Sequence, residues 1–233
     1  MKIAIMQPYF FPYIGYWQLI DAVDRFVMYD NVNYINRGWI NRNRILVNGK
    51  PTYITIPVSK ASQNKLISDL YLDNSTEWRG KMLKTIYLAY HRAPQFENVF
   101  PLIEAIIFNR ENRLSNFLKN SITLVTQYLG INTEIKSSSE IIIDNNLKGE
   151  DKIVSLCKSE GANVYVNAIG GQGLYSKEKF SLNNINLNFI KSKDIEYHQF
   201  DNEFLPWLSI VDVLMFNSVE HVKNQLLNEY ELI

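Results

Sequence analysis

Residues 2–32, KIAIMQPYFFPYIGYWQLIDAVDRFVMYDNV, set two short apolar runs on either side of a helical pattern, and their reading decides the fold. KIAIMQ and RFVMYDNV are each too short for a stable helix and rich in residues that suit strands buried on both faces. Between them GYWQLIDAVD carries Trp17, Leu19, Ile20 and Val23 at helical intervals. Strand, turn, helix, strand is a βαβ start, which predicts a parallel sheet.

Further along, RILVNGKPTYITIPV alternates around Asn48-Gly49, a strong turn signal, and predicts a β-hairpin at about 44–58. STEWRGKMLKTIYLAYHRAP has a cap candidate at Ser75, a stripe of Trp78, Met82, Ile86 and Tyr90, and Pro94 as its stop. Helices are expected at about 96–108 and 111–129, the second ended by Gly130. Beyond them NTEIKSSSEI reads as extended and GEDKIVSLCKSEGA as a helix stopped by Gly161. NVYVNA reads as a buried strand, SKEKF as a turn and INLNFIKS as a strand, followed by two helical pieces near the carboxyl end. The expected fold class is α/β: a parallel-sheet, Rossmann-like core with a β-hairpin and a mostly helical insertion at about 75–130, all in one domain spanning 1–233.

Twenty-four basic side chains balance 24 acidic ones, so no global field gathers nucleic acid or an anionic membrane. The single cysteine, Cys157, cannot form an internal disulfide, which fits a reducing, cytoplasmic home. Gln7, two early prolines and the lack of a small-residue cleavage site argue against a signal peptide. No apolar segment approaches the roughly 20 residues needed to cross a bilayer, so membrane insertion is not expected.

In open α/β sheets ligands sit beyond the carboxyl ends of the strands. Three loops fall there by chain order: Gln7 to Tyr16, Asp30 to Arg44, and Asn167 to Tyr175. In the first, Pro8 and Pro12 restrict the backbone and Gly15 permits close approach. Tyr9, Phe10, Phe11, Tyr13 and Tyr16 offer a stacking wall for a nucleobase or sugar ring, and Gln7 an amide. The alternative is a hydrophobic plug over the sheet edge. The second loop gathers Asp30, Asn31, Tyr34, Arg37, Trp39, Asn41, Arg42, Asn43 and Arg44; guanidinium groups suit phosphate and asparagines read hydroxyls and amides, which points to a diphosphate-containing metabolite. In the third, Gly170, Gly171 and Gly173 expose amides that can cradle an anion, with Asn167 and Tyr175 beside them, though the pattern is neither a Walker loop nor a GxGxxG fingerprint.

Candidate acid–base groups are Asp30, Asp212, which is an acid within the apolar helix LSIVDVLMFN, and His91 at a helix end, where a dipole role competes. His198 and His221 carry weaker signals. No HExxH, paired CxxC or GxSxG motif is present, so neither a zinc site nor a serine nucleophile is expected. As for cofactors, only ATP comes into view: strand, PYFFPYIGYWQLI and strand resemble in outline the nucleotidyltransferase and class I synthetase superfamily. There an HxGH turn binds ATP, whereas YIGY puts tyrosines in the histidine places.

Taken in order, MQPYFFPYIGYW, DRFVMYDNVNYINRGWINRNRI, TIPV, YLAYHRAPQF, YLGI, NVYVNAIGGQGLY, EYHQF and FLPWLSIVDVLMFN resemble the WbqC-like family across nearly the whole chain. The family often places glycine after the final asparagine, where this chain has Ser218 after Asn217. The resemblance implies a transferase of bacterial surface-polysaccharide or O-antigen biosynthesis that acts on a nucleotide-linked amino sugar, with a small amino acid as one donor. No covalent catalyst stands out, consistent with catalysis by positioning. A noncatalytic sugar-nucleotide-binding protein is the reading from another class.

Overall fold

In the amino-terminal strand β1 (Lys2–Met6), Ile3 and Ile5 face one apolar core while Ala4 faces another, so the run KIAIM is buried on both sides of a sheet. The structure, a computed structural model, describes residues 1–144, 146–201 and 203–233. After β1 come α1 (Ile14–Asp21), β2 (Arg25–Met28), β3 (Arg42–Val47), β4 (Lys50–Thr55), β5 (Val58–Ser59) and β6 (Tyr71–Leu72). Three consecutive helices follow, α2 (Glu77–Tyr90), α3 (Phe96–Ile107) and α4 (Leu114–Leu129). The chain continues through β7 (Glu134–Ser137), α5 (Gly149–Ser159), β8 (Val164–Ala168), α6 (Lys177–Leu182) and β9 (Asn186–Ser192), and closes with α7 (Ile210–Phe216), α8 (Val219–Asn224) and β10 (Tyr230–Leu232).

The fold is mixed α/β around a six-stranded sheet in the order β10-β9-β8-β1-β2-β7. Only β10 runs antiparallel to its neighbour; the other pairs are parallel, with Ile3 opposite Arg25 on one side and Tyr165 on the other. The period-2 alternation sorts the two faces. Phe26, Met28, Val166 and Ile190 join Ala4 against Trp17, Leu19 and Ile20 of α1 and the apolar sides of α3, α4 and α7. Val27, Tyr165, Leu187 and Phe189 join Ile3 and Ile5 against Ile153, Leu156 and Cys157 of α5 and Phe180 of α6. Each fully buried side chain of this size contributes about 1.5–3 kcal/mol of transfer free energy, so these two layers carry most of the drive to fold.

Local chemistry adjusts several boundaries. The second strand stops at Met28, not Val32, because the backbone of Asp30 and Asn31 turns to bond Ser138. Helix α2 is capped by position at Thr76, while Ser75 Oγ accepts the Glu77 amide instead. The SKEKF segment is a short helix, not a turn, because Ser176 Oγ accepts from the Lys179 amide and caps it. Gly130 ends α4 in the left-handed region at φ 65°, a conformation that favours glycine.

Cys157 is buried in α5, and burial pushes its thiol up to about 12. A thiol-specific reagent at pH 8 is expected to leave it unmodified in the folded chain and to modify it fully in denaturant. Stoichiometric labelling without denaturant would contradict this packing.

Candidate functional site

The loop after β1 is folded back by its own neighbours. Trp17 Nε1 donates to Pro12 O at 3.0 Å, and the Phe10 amide donates to Trp39 O at 3.1 Å, which brings the aromatic loop onto the segment before β3. Asn43, buried in β3, donates from Nδ2 to Phe10 O and Phe11 O at 3.1 and 2.9 Å. Those bonds hold Phe11 in the left-handed region at φ 43°, which costs a bulky residue about 1–3 kcal/mol. Gly15 is required for another reason: a Cβ there would lie 2.5 Å from both Ser192 Oγ and the Tyr13 ring. A third piece arrives from the carboxyl side, where the Ser209 amide bonds Arg44 O at 2.9 Å and carries Trp207, itself at φ 62°, over the mouth.

These segments enclose a cavity of about 340 Å³ lined by Tyr9, Pro12, Tyr13, Trp39, Asn43, Arg44 and Trp207. Among the described residues, Arg44 is the only charged group in its lining. The guanidinium donates from Nη2 to Trp207 O at 3.1 Å and lies 5.5 Å from the Trp39 ring centroid, while its buried Nε has no acceptor. None of Arg37, Arg42 and Arg44 forms an ion pair among the described residues. Trp39 is 40% exposed and stacks on Tyr53 at 6.3 Å, and the Arg42 guanidinium lies 4.4 Å from the Tyr53 ring centroid. Burial raises the Tyr9 phenol, with Tyr13 adding to the effect, so both stay neutral hydrogen-bonding groups at ordinary pH. Chemically this is an aromatic slot with one cation that lacks a counterion.

Tyr13 and Trp207 meet edge to face at 5.7 Å and divide this cavity from a second one of about 260 Å³. The second is lined by Ser192 at the end of β9, by Asp194, Glu196 and Tyr197 after it, and by Phe204, Pro206 and Leu208. Beneath it lies Asp212, fully buried in α7. Its Oδ2 accepts from Tyr90 at 2.7 Å, and its Oδ1 accepts from Tyr197 and Gln199, each at 2.7 Å. Burial raises the Asp212 carboxyl, against the opposing pull of those three donors.

Of the residues singled out from sequence, Tyr9, Tyr13, Trp39, Asn43 and Arg44 come together in the first cavity. Phe10, Phe11 and Tyr16 do not: all three are buried in the core, Tyr16 packing on Phe26 at 5.2 Å and donating to Gln7 O at 3.0 Å. The aromatic loop is therefore both wall and plug. Gln7 lines neither cavity. Asn41 is buried between Tyr34 and Ile56 O, a structural post. Arg37 is exposed at φ 59°, its carbonyl bonded by Arg42. His91 is exposed, stacks on Tyr87 at 5.5 Å and lines neither cavity.

Asp30 is buried, with Oδ2 accepting from Ser115 and Ser139 hydroxyls at 2.6 and 2.8 Å and Oδ1 from the Ser139 amide and Ser138 at 2.9 and 3.1 Å. The single Ser138 hydroxyl proton is shared between Asp30 Oδ1 and Asn31 Oδ1, and the Asn31 carbonyl accepts from Lys152 Nζ at 2.7 Å. Asn167 folds onto the Ala168 amide, and its Nδ2 would lie 2.3 Å from a Cβ at Gly171. Gly170, Gly171 and Tyr175 belong to this same region, where Tyr175 packs on Tyr165 at 5.7 Å, and they line neither cavity.

Sequence reasoning missed three residues. Trp207 sits alone in FLPWLS, with only Pro206 to hint at an ordered turn. Tyr197 is visible as part of EYHQF, but its partner Asp212 lies 15 positions away. Lys152 resembles any charge in the first turn of a helix, yet it is buried with Nζ 5.3 Å from the Tyr29 ring centroid. Burial lowers its ammonium, partly offset by Asp30, and lifts the Tyr29 phenol to about 12.

Comparison with known proteins places this geometry in a lineage. The sequence model of the WbqC-like protein family matches residues 7–224, which takes in both cavity linings. A Mycobacterium tuberculosis (strain ATCC 25618 / H37Rv) protein, described as Uncharacterized protein Rv1507c, is 27% identical over 219 residues, 93% of each chain. No solved structure matches the chain. With a family match that spans nearly the whole sequence, the chain belongs to the WbqC-like protein family.

Proposed function

We propose that the chain is a transferase that acts on a nucleotide-linked amino sugar in bacterial surface-polysaccharide or O-antigen biosynthesis, with aminoacyl transfer, such as glycyl transfer, as the reaction. The observation that carries this reading is Arg44: a guanidinium with no carboxylate partner and an unpaired Nε in a cavity walled by Tyr9, Tyr13, Trp39 and Trp207. Aromatic faces stack on a base or sugar ring, and a guanidinium fork takes a phosphate oxygen pair. The six-stranded, mostly parallel sheet supports reading the core as Rossmann-like and doubly wound. The cavity loop follows the carboxyl end of β1, at whose boundary with β8 the winding reverses, which is where such sheets bind ligands.

The test is titration with UDP- and dTDP-sugars, followed by thermal unfolding and calorimetry. Ligand at about 100 times Kd stabilises by ~2.7 kcal/mol, a rise of about 5–10 °C for a chain of this size. Arg44→Ala is expected to weaken binding by about 10- to 100-fold, the range for losing a charge-assisted phosphate contact. No stabilisation by any nucleotide sugar, with Arg44→Ala indistinguishable from the parent chain, would end the proposal.

One observation favours a second reading, a sugar-nucleotide-binding protein without catalysis: no carboxylate or imidazole lines the Arg44 cavity among the described residues. Tight binding of a nucleotide sugar without turnover in the presence of amino acids would select it.

A further inference from the structure

The two cavities that share Tyr13 and Trp207 have opposite chemistry, and hydrogen-bond direction makes the contrast sharp. Gln18 donates from Nε2 to Leu226 O and Glu229 O at 2.8 and 3.0 Å, which leaves its Oε1 only as an acceptor. Ser192 Oγ donates to that oxygen at 2.6 Å, so its own oxygen is left to accept. Across the cavity the Tyr197 hydroxyl proton is held by Asp212. The Ser192 hydroxyl and the Tyr197 phenol therefore keep no proton for a ligand.

The charged groups lean the same way. Lys193 is turned to Glu229 at 3.3 Å. Asp194 and Glu196 are exposed at the rim and form no ion pair or side-chain hydrogen bond among the described residues. The remaining side-chain donors at the wall are the Tyr13 hydroxyl, the Trp207 indole N–H and the Lys193 ammonium, the last drawn toward Glu229. Two ring pairs complete the enclosure, Tyr13–Trp207 and Tyr197–Phe204, the latter at 5.1 Å and 76°. Aromatic faces, neutral acceptor oxygens and two uncompensated carboxylates are the surroundings an organic ammonium selects.

We infer that the cavity between β9 and α7 is a subsite for a small molecule bearing a primary ammonium group, seated next to the anion-binding Arg44 cavity. The inference rests on the reading of the neighbouring cavity as a ligand site, since Tyr13 and Trp207 wall both. A compound with three donor hydrogens and a positive charge finds acceptors here, whereas an anion or a donor-poor neutral compound does not.

The experiment compares cyclohexylammonium with cyclohexanol, a neutral isostere, by ligand-observed NMR titration at low ionic strength, where exposed carboxylates are least screened. UDP is titrated separately against the same protein. Cyclohexylammonium is expected to bind at least about tenfold more tightly than cyclohexanol, and the double variant Asp194→Asn, Glu196→Gln is expected to erase most of that preference. Both substitutions are at exposed positions and leave the core intact. Equal affinity for the two probes, or a preference that survives in the double variant, overturns the inference. Ammonium selectivity without UDP binding supports the subsite while removing the nucleotide reading; UDP binding without ammonium selectivity does the reverse.

Discussion

Asp212→Ala is expected to lower stability by about 3–5 kcal/mol, on the order of 10 °C in Tm for a chain of this size. The carboxylate is fully buried and receives three donors from two parts of the chain: Tyr90 in α2, and Tyr197 and Gln199 in the segment after β9. Alanine removes the acceptor of the Tyr90 and Tyr197 hydroxyls, while Gln199 Nε2 keeps Leu205 O at 3.2 Å; each hydroxyl left unpaired costs about 1–3 kcal/mol less whatever relaxation recovers. Tyr90 cannot simply turn away, because its oxygen also accepts the Leu46 amide of β3 at 2.8 Å. Asp212→Asn is the milder variant. It keeps one oxygen for Tyr197 and Gln199 but sets an amide N–H₂ against Tyr90, whose proton then lacks an acceptor.

The pH dependence identifies the carboxyl group itself. Burial holds its folded value above the unfolded one of about 3.9, so the folded chain keeps this proton to higher pH than the unfolded chain does. That contribution is complete below about pH 4 and is lost as pH rises through the folded value. The stability of the parent chain relative to Asp212→Asn should therefore decline across that window in chemical denaturation. A flat difference from pH 3 upward would mean that the three hydrogen bonds balance burial, and a difference that grows with pH that they outweigh it.

What could be read from the chain alone divides along physical lines. The strands around Ile3, Phe26 and Tyr165 and the helix carrying Trp17 were legible because burial on a sheet imposes local periodicities of 2 and 3.6. The opening aromatic loop was only half legible. Tyr9 and Tyr13 reach the cavity while Phe10, Phe11 and Tyr16 enter the core, and nothing in their order tells which ring points where once Phe11 takes a left-handed backbone. Arg44 and Asn43 stood out in the polar run, but Asn41 in the same run is a structural post, since its partner Ile56 O lies across the β3–β4 region. Trp207 and Tyr197 were illegible: their roles arise from contacts with Tyr13, Arg44 and Asp212, and such long-range pairings leave no local period.

The second acid nominated from sequence teaches the same lesson with a different outcome. Asp30→Ala is expected to cost about 2–4 kcal/mol, because the Ser139 amide and the hydroxyls of Ser115, Ser138 and Ser139 all converge on one carboxylate and join the end of β2 to α4 and to the turn after β7. Asp30→Asn should cost only about 1–2 kcal/mol, since one oxygen still meets the Ser139 amide while serine hydroxyls can rotate to accept from the new N–H₂. A further consequence falls on Lys152, whose ammonium burial lowers and the Asp30 charge partly restores. Without that charge the folded value drops further below the unfolded one of about 10.4, and the chain gains relative stability as pH rises through this range. The deficit of Asp30→Asn measured by denaturant melts should thus narrow from pH 7 to pH 10, whereas a constant deficit would uncouple the two groups. If instead Asp30→Asn left stability unchanged and abolished turnover of a nucleotide sugar, Asp30 would belong to the chemistry and not to the scaffold.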